Sequence, residues 1–208
     1  MDINQLYNLW LENASADPDL KSELESIKGK EAEISDRFYR ELEFGTGGLR
    51  GVIGAGTNRM NVYTVNKATQ GLADYVKNHC GKSVAISCDS RIKSDYFARS
   101  AAEVFAGNGI KVHIYSELMP TPMLSWAVRS LKCDAGVMVT ASHNPAKYNG
   151  YKVYGSDGCQ VTIEAADEIL GYIGKTDIFK GVKTADFDES VKSGLISFIG
   201  QDVIDAYI

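Results

Sequence analysis

Between Val65 and Ile173 the sequence switches repeatedly from short apolar runs to segments with apolar residues at helical spacing. That rhythm narrows the possible folds more than any other feature of the chain. Val65, Ala68, Leu72 and Val76 recur at helical intervals, and Ser83–Cys88 follows as a short apolar run suited to a buried strand. Helical spacing returns over Phe97–Phe105 and stops at Gly107 and Gly109. Lys111–Tyr115 alternates like a strand, and Thr121–Leu131 is helical with Pro122 in its first turn. Ala135–Val139 and Tyr148–Tyr154 read as strands and Ile163–Ile173 as a helix. Strands alternating with helices predict an α/β class, a layered α/β/α domain on a mixed, mainly parallel sheet of about four strands.

The flanks differ. Residues 1–43 predict a helical extension. Leu6, Leu9 and Trp10 share one face, a break around Pro18 follows, and a second segment carries Leu24, Ile27, Ile34, Phe38 and Leu42. The glycine-dense stretch Gly45-Thr46-Gly47-Gly48-Leu49-Arg50-Gly51, with Gly54 and Gly56, predicts a small N-terminal β-hairpin and opens the main domain, residues 44–185. Residues 186–208 read as a linker and the cut-short start of a second domain, with a strand near Leu195–Ile199 and a helix from Asp202.

Charge and cysteine usage limit the function classes. A formal net charge of −5 gives nothing to counterion release, so nucleic acid is disfavoured as a partner. No run of 18 apolar residues exists, so no membrane partner is expected. The acidic, polar start lacks the features of a signal peptide, and a cytoplasmic location follows. Cys80, Cys88, Cys133 and Cys159 form no C-x-x-C pair and read as reduced thiols.

Two strand ends are polar: Cys88-Asp89-Ser90-Arg91 and Val139-Thr140-Ala141-Ser142-His143-Asn144-Pro145. Ligands gather at the carboxyl ends of strands in such sheets. Pro145 turns the chain sharply after Asn144, which projects Ser142 at the sheet edge. A serine needs a base or an electrophilic setting to act as a nucleophile. His143 is its neighbour, but adjacent residues on an extended chain point to opposite faces, so contact with a bound phosphate suits it better than a Ser–His relay. A plain polar loop with a solvated histidine fits the same residues. Lys152, on the returning strand, is placed to neutralise a phosphate or shuttle a proton, or else is a surface lysine. Arg50 offers a guanidinium for phosphate, and N–H groups at Gly47 and Gly48 suggest an anion nest, although the stretch also suits a flexible turn. Asp89 and Arg91 suit an ion pair that orders the neighbouring loop. No G-x-x-x-x-G-K-[ST], G-x-S-x-G, complete dinucleotide fingerprint or H-E-x-x-H is present.

Taken together, Gly45–Gly51, Asp89-Ser90-Arg91, Pro120-Thr121-Pro122, Thr140–Pro145 and Asn149-Gly150-Tyr151-Lys152 resemble the α-D-phosphohexomutase superfamily in order and spacing. The chain looks like the first domain of a phosphoglucomutase or phosphomannomutase. Its long N-terminus is similar to the branch that includes phosphopentomutases. The resemblance implies that Ser142 carries a phosphoryl group, passes it to a sugar monophosphate and recovers one from the resulting bisphosphate. It implies Lys152, His143 and Arg50 as catalytic groups, and Gly47, Gly48, Thr140 and Asn144 beside them as phosphate-binding residues. It also implies Mg²⁺, held here only through the Ser142 phosphate oxygen, a sugar bisphosphate activator, a phosphosugar substrate and three further domains of the same polypeptide. The superfamily's aspartate-rich metal loop is not in this chain, so the fragment alone is expected to be inactive. A non-catalytic sugar-phosphate-binding module with the same fold is the other reading.

Overall fold

The computed structural model describes residues 2–208. Three helices come first: α1 (Ile3–Asn13), α2 (Pro18–Ser26) and α3 (Glu31–Phe38). Asp2 caps α1, accepting from the Gln5 amide while the Gln5 side chain reaches back to the Asp2 N–H. The second segment, carrying Leu24 to Leu42, forms two helices that part after Ser26, where Gly29 takes φ +78°. The helices bury Tyr7, Trp10, Leu24, Ile34 and Phe38 against Ala55 and Val62 of the main body. Trp10 sits edge-on to Phe38, Tyr63 and Phe179, with ring centroids 5.4–5.8 Å apart.

The body follows as β1 (Gly48–Val52), α4 (Val62–Asn78), β2 (Ser83–Cys88), α5 (Ser94–Gly107), β3 (Lys111–Ile114), α6 (Thr121–Ser130), β4 (Ala135–Val139), β5 (Tyr148–Gly155) and α7 (Ile163–Lys175). It ends with α8 (Phe187–Lys192), β6 (Ile196–Phe198) and α9 (Gln201–Asp205). The six strands form one mixed sheet in the order β1-β5-β4-β2-β3-β6. β2 pairs in parallel with β3 and β4, β3 pairs in parallel with β6, and β5 is antiparallel to β1 and β4. α4, α5, α7 and α8 pack on one face around Leu72, Ile86, Phe97, Phe105 and Tyr151. α6 and α9 cover the other around Leu124, Val128, Met138 and Val203. The expected α/β/α layering is present.

Two strands exceed the expected number, and the expected N-terminal hairpin does not form. β1 instead closes one sheet edge against β5, with Gly48 opposite Lys152 and Arg50 opposite Gly150. Glycine permits this approach. A Cβ on Gly48 would lie 2.1 Å from the Tyr151 carbonyl oxygen. At the far edge, β6 places Ser197 beside His113. α8 rests on α5, where Arg99 lies over the Phe187 ring at 4.0 Å.

Candidate active site

The site is built where parallel neighbours β2 and β4 end side by side. Beyond β4, Ala141 is buried and Ser142 is exposed, at φ +56°. A left-handed conformation at a residue with a Cβ costs about 1–3 kcal/mol and persists only where its surroundings fix it. Here the fixing group is Arg91, in the loop after β2. Its Nη2 donates to the carbonyls of Ser142 at 2.5 Å and Asn144 at 2.7 Å. Its Nη1 donates to those of Tyr148 at 3.1 Å and Pro145 at 3.3 Å. Charge-assisted bonds contribute about 1.5–3 kcal/mol each, so several together outweigh the strain.

Asp89 completes the frame. One carboxylate oxygen accepts from the Arg91 N–H and the Ser94 hydroxyl, both at 3.1 Å. The other accepts from the Thr140 hydroxyl at 2.5 Å. Thr140 Oγ1 in turn accepts the Ser142 N–H at 2.9 Å. Asn149, fully buried, donates to the Ile92 carbonyl and to Ser94 Oγ, both at 3.0 Å. The two loops are thus tied together on several sides, while the Ser142 side chain remains at the surface.

The cations come from the antiparallel edge. Arg50, Gly150 and Lys152 share one face of the β1–β5 ladder, and Lys152 stands at the rung of Met138 on β4. Gly150 has no side chain, and a Cβ there would lie 2.5 Å from the Thr140 carbonyl oxygen. Arg50 reaches past it to Asn144, Nη1 to Oδ1 at 3.4 Å. Among the described residues neither Arg50 nor Lys152 has a carboxylate partner. Both line an open cleft of about 630 Å³ with Tyr148, Thr46 and the guanidinium of Arg59, which Asp36 holds. Ser142 itself does not line this cleft; Arg50 meets the Ser142 loop at Asn144, and cations without carboxylate partners make a setting for a phosphate dianion.

His143 is exposed, and no hydrogen bond joins it to Ser142 among the described residues. One expectation needs correction. The Gly47 and Gly48 N–H groups form no anion nest, because both donate to the Phe44 carbonyl, at 3.3 and 2.7 Å. These glycines serve close packing, Gly47 at φ +121° against Val161 and Gly48 against β5. Thr140 is likewise occupied, bridging Asp89 and the Ser142 amide. The reach of Arg91 and the parts of Asn149 and Gly150 were not read from sequence. An Asn-Gly pair opening a strand was the available signal.

Rival chemistry is weak here. Burial first, then Asp95 and Asp89, pushes the Cys88 thiol up to about 11, so it stays protonated. Among the described residues no cluster of three or more His, Cys, Asp or Glu side chains is placed to hold a metal. Asp89, the carboxylate near Ser142, has both oxygens engaged. These residues do not by themselves fit a Mg²⁺ ion.

The family model for phosphoglucomutase/phosphomannomutase, alpha/beta/alpha domain I, matches residues 41–178. The chain belongs to this family. A Staphylococcus saprophyticus phosphoglucomutase is 38% identical over 200 residues, covering 96% of this chain and 36% of that protein. A Schizosaccharomyces pombe protein named a probable phosphoribomutase is 40% identical over 164 residues, 76% of this chain and 28% of its own length. A crystal structure of a phosphomannomutase candidate from Thermus thermophilus superposes with a TM-score of 0.63 at 33% identity, covering 70% of this chain and 32% of that one. The chain spans about a third of the length of the curated relatives it matches. The phosphoglucomutase/phosphomannomutase family is one of phosphotransferring mutases, and the matched region includes the Ser142 loop and the β1–β5 edge.

Proposed function

We propose that this chain is the phosphate-carrying domain of a phosphosugar mutase, with Ser142 as the residue that accepts and donates the phosphoryl group. The observation that carries the reading is the exposed Ser142 at φ +56°, framed by Arg91 and Asp89, on a loop that Arg50 of the neighbouring strand edge meets at Asn144. Phosphoryl transfer depends on positioning and charge neutralisation more than on covalent machinery. In the proposed step a phosphosugar phosphorus is attacked by Ser142 Oγ. The new P–O bond forms as the P–O bond to the sugar breaks, and the serine proton passes to the departing sugar oxygen. Lys152 moves that proton and Arg50 balances the phosphate charge. His143 and Asn144 lie on the same loop and meet phosphate oxygens. In reverse, the phosphoserine phosphorylates a sugar monophosphate, and the resulting bisphosphate reorients before returning its other phosphate.

The family implies a metal, and Mg²⁺ with a sugar bisphosphate activator completes the reading. Its carboxylate ligands come from outside this chain, so residues 1–208 alone turn over no substrate. In this account residues 1–43 are an extension, 44–185 domain I, and 186–208 the passage to domain II. No helix among the described residues is long and apolar enough to cross a membrane, which fits a cytoplasmic sugar-phosphate enzyme. Hexose 1- and 6-phosphates are the proposed substrates. Pentose phosphates are the second reading, favoured by the name of the Schizosaccharomyces pombe relative.

The test is phosphosite mapping of the complete polypeptide that carries this domain, after incubation with glucose 1,6-bisphosphate and Mg²⁺. One added phosphate, located on Ser142, is expected. Phosphate stably located on another residue contradicts the assignment.

A further inference from the structure

We infer that Arg91 is a positioning residue for phosphoryl transfer, setting the direction in which Ser142 presents its hydroxyl. The inference rests on the proposed role of Ser142 but assigns a function to a side chain on a different loop.

The geometry is specific to a guanidinium. Arg91 has four terminal N–H groups, and they make four hydrogen bonds, to the carbonyls of Ser142, Asn144, Pro145 and Tyr148. These carbonyls cover the loop from the reacting residue to the first residue of β5. The remaining N–H, at Nε, is buried without a hydrogen-bond partner and lies 3.6 Å from Asp89 Oδ2. Asp89 fixes the same loop at its other end, through Thr140 and the Ser142 N–H. Ser142 is therefore gripped at its carbonyl by Arg91 and at its amide by Thr140. Both grips trace back to the Asp89–Arg91 pair on β2's loop. With amide and carbonyl fixed, φ and ψ of Ser142 are fixed, and so is its Cα–Cβ direction. The Oγ atom keeps only the freedom of χ1.

A lysine at this place has one ammonium and cannot span four diverging carbonyls. Arg91 itself need not touch substrate. Its terminal nitrogens are spent on the backbone, whereas Arg50 and Lys152 face the cleft. This separates positioning from charge neutralisation. A small misplacement of a reacting atom can cost on the order of 10²-fold in rate while substrate affinity survives.

The experiment uses the complete polypeptide, with glucose 1-phosphate as substrate and glucose 1,6-bisphosphate as activator. Wild type, Arg91→Lys and Arg91→Ala are compared for kcat, KM, thermal midpoint and phosphate gained at Ser142. Arg91→Lys keeps charge and most of the bulk, so it is the variant chosen to fold. Its kcat is expected to fall on the order of 10²-fold with KM within about threefold of wild type. Added guanidinium at sub-denaturing concentration is expected to restore part of the kcat of Arg91→Ala and none to a Ser142→Ala control. An unchanged kcat in Arg91→Lys overturns the inference, as does a loss that appears wholly in KM. Phosphate on wild-type Ser142 combined with either result refutes the positioning role alone, whereas its absence from wild type refutes the underlying reading.

Discussion

At the scale of single residues, burial decides which groups can carry charge. His113 lies on β3 with Nδ1 3.0 Å from the Ser197 hydroxyl on β6. Burial first, and then the Lys111 ammonium, holds its imidazole below the ordinary value. The unfolded chain takes up a proton at this residue near pH ~6.5, the folded chain only at lower pH. Within that window the unfolded state binds more protons, so the contribution of neutral His113 is present above it and is lost as pH falls. Urea unfolding at about pH 8 and about pH 5.5 is expected to show a larger drop in stability for wild type than for His113→Gln. Equal drops contradict the assignment. Tyr151 shows the same physics on β5, one strand in from the sheet edge, where complete burial pushes its phenol well above its usual range. It is a core side chain although it neighbours Lys152. Burial also pushes the Cys133 thiol up to about 11, which suits a packing role.

At the scale of elements, β1 ties the site together, because it supplies Arg50 and forms the sheet edge beside β5. Gly48→Ala is expected to cost about 1–3 kcal/mol, since the added methyl meets backbone that cannot give way. Gly174→Ala, on an open face of α7, is the control and is expected to be neutral or mildly stabilising. Comparable destabilisation in the two variants contradicts the close-approach account. The interior elements were legible in the sequence. β2 and β4 are short apolar runs, β5 was read as a strand over Tyr148–Tyr154, and α4, α5, α6 and α7 carry clear helical spacing. β1 was not legible as a sheet strand. Two of its five residues are glycine, and its partner lies far along the chain, so local composition suggests a turn. The same remoteness hid the reach of Arg91. Spacing places Asp89 near Arg91, but no local pattern predicts donation to four carbonyls of another loop. The Gly47–Gly48 nest failed for a related reason. Glycine density signals close backbone approach, and here the approaching partners are Val161 and β5, with no phosphate needed to explain it.

Across the whole molecule, the N-terminal helices and the α/β body are joined close to the site loops. Glu23 pairs with Arg37 at 2.5 Å and accepts the Ala55 N–H at 2.7 Å, holding the segment after β1. Asp17 and Asp19 grip the ammonium of Lys93, at 2.5 and 2.9 Å, and Lys93 is two residues beyond Arg91. Lys93 sits at φ +60° just before α5, so this ion pair fixes the far end of the loop that frames Ser142. The extension therefore braces the segment after β1 and the loop after β2 that carries Arg91. Everything functional in this arrangement converges on one hydroxyl. The most direct measurement is coupled turnover of glucose 1-phosphate by the complete polypeptide, wild type against Ser142→Ala. Activity in the variant is expected to fall to the uncatalysed background while its thermal midpoint stays near that of wild type. Turnover retained at a substantial fraction of the wild-type rate would contradict the account.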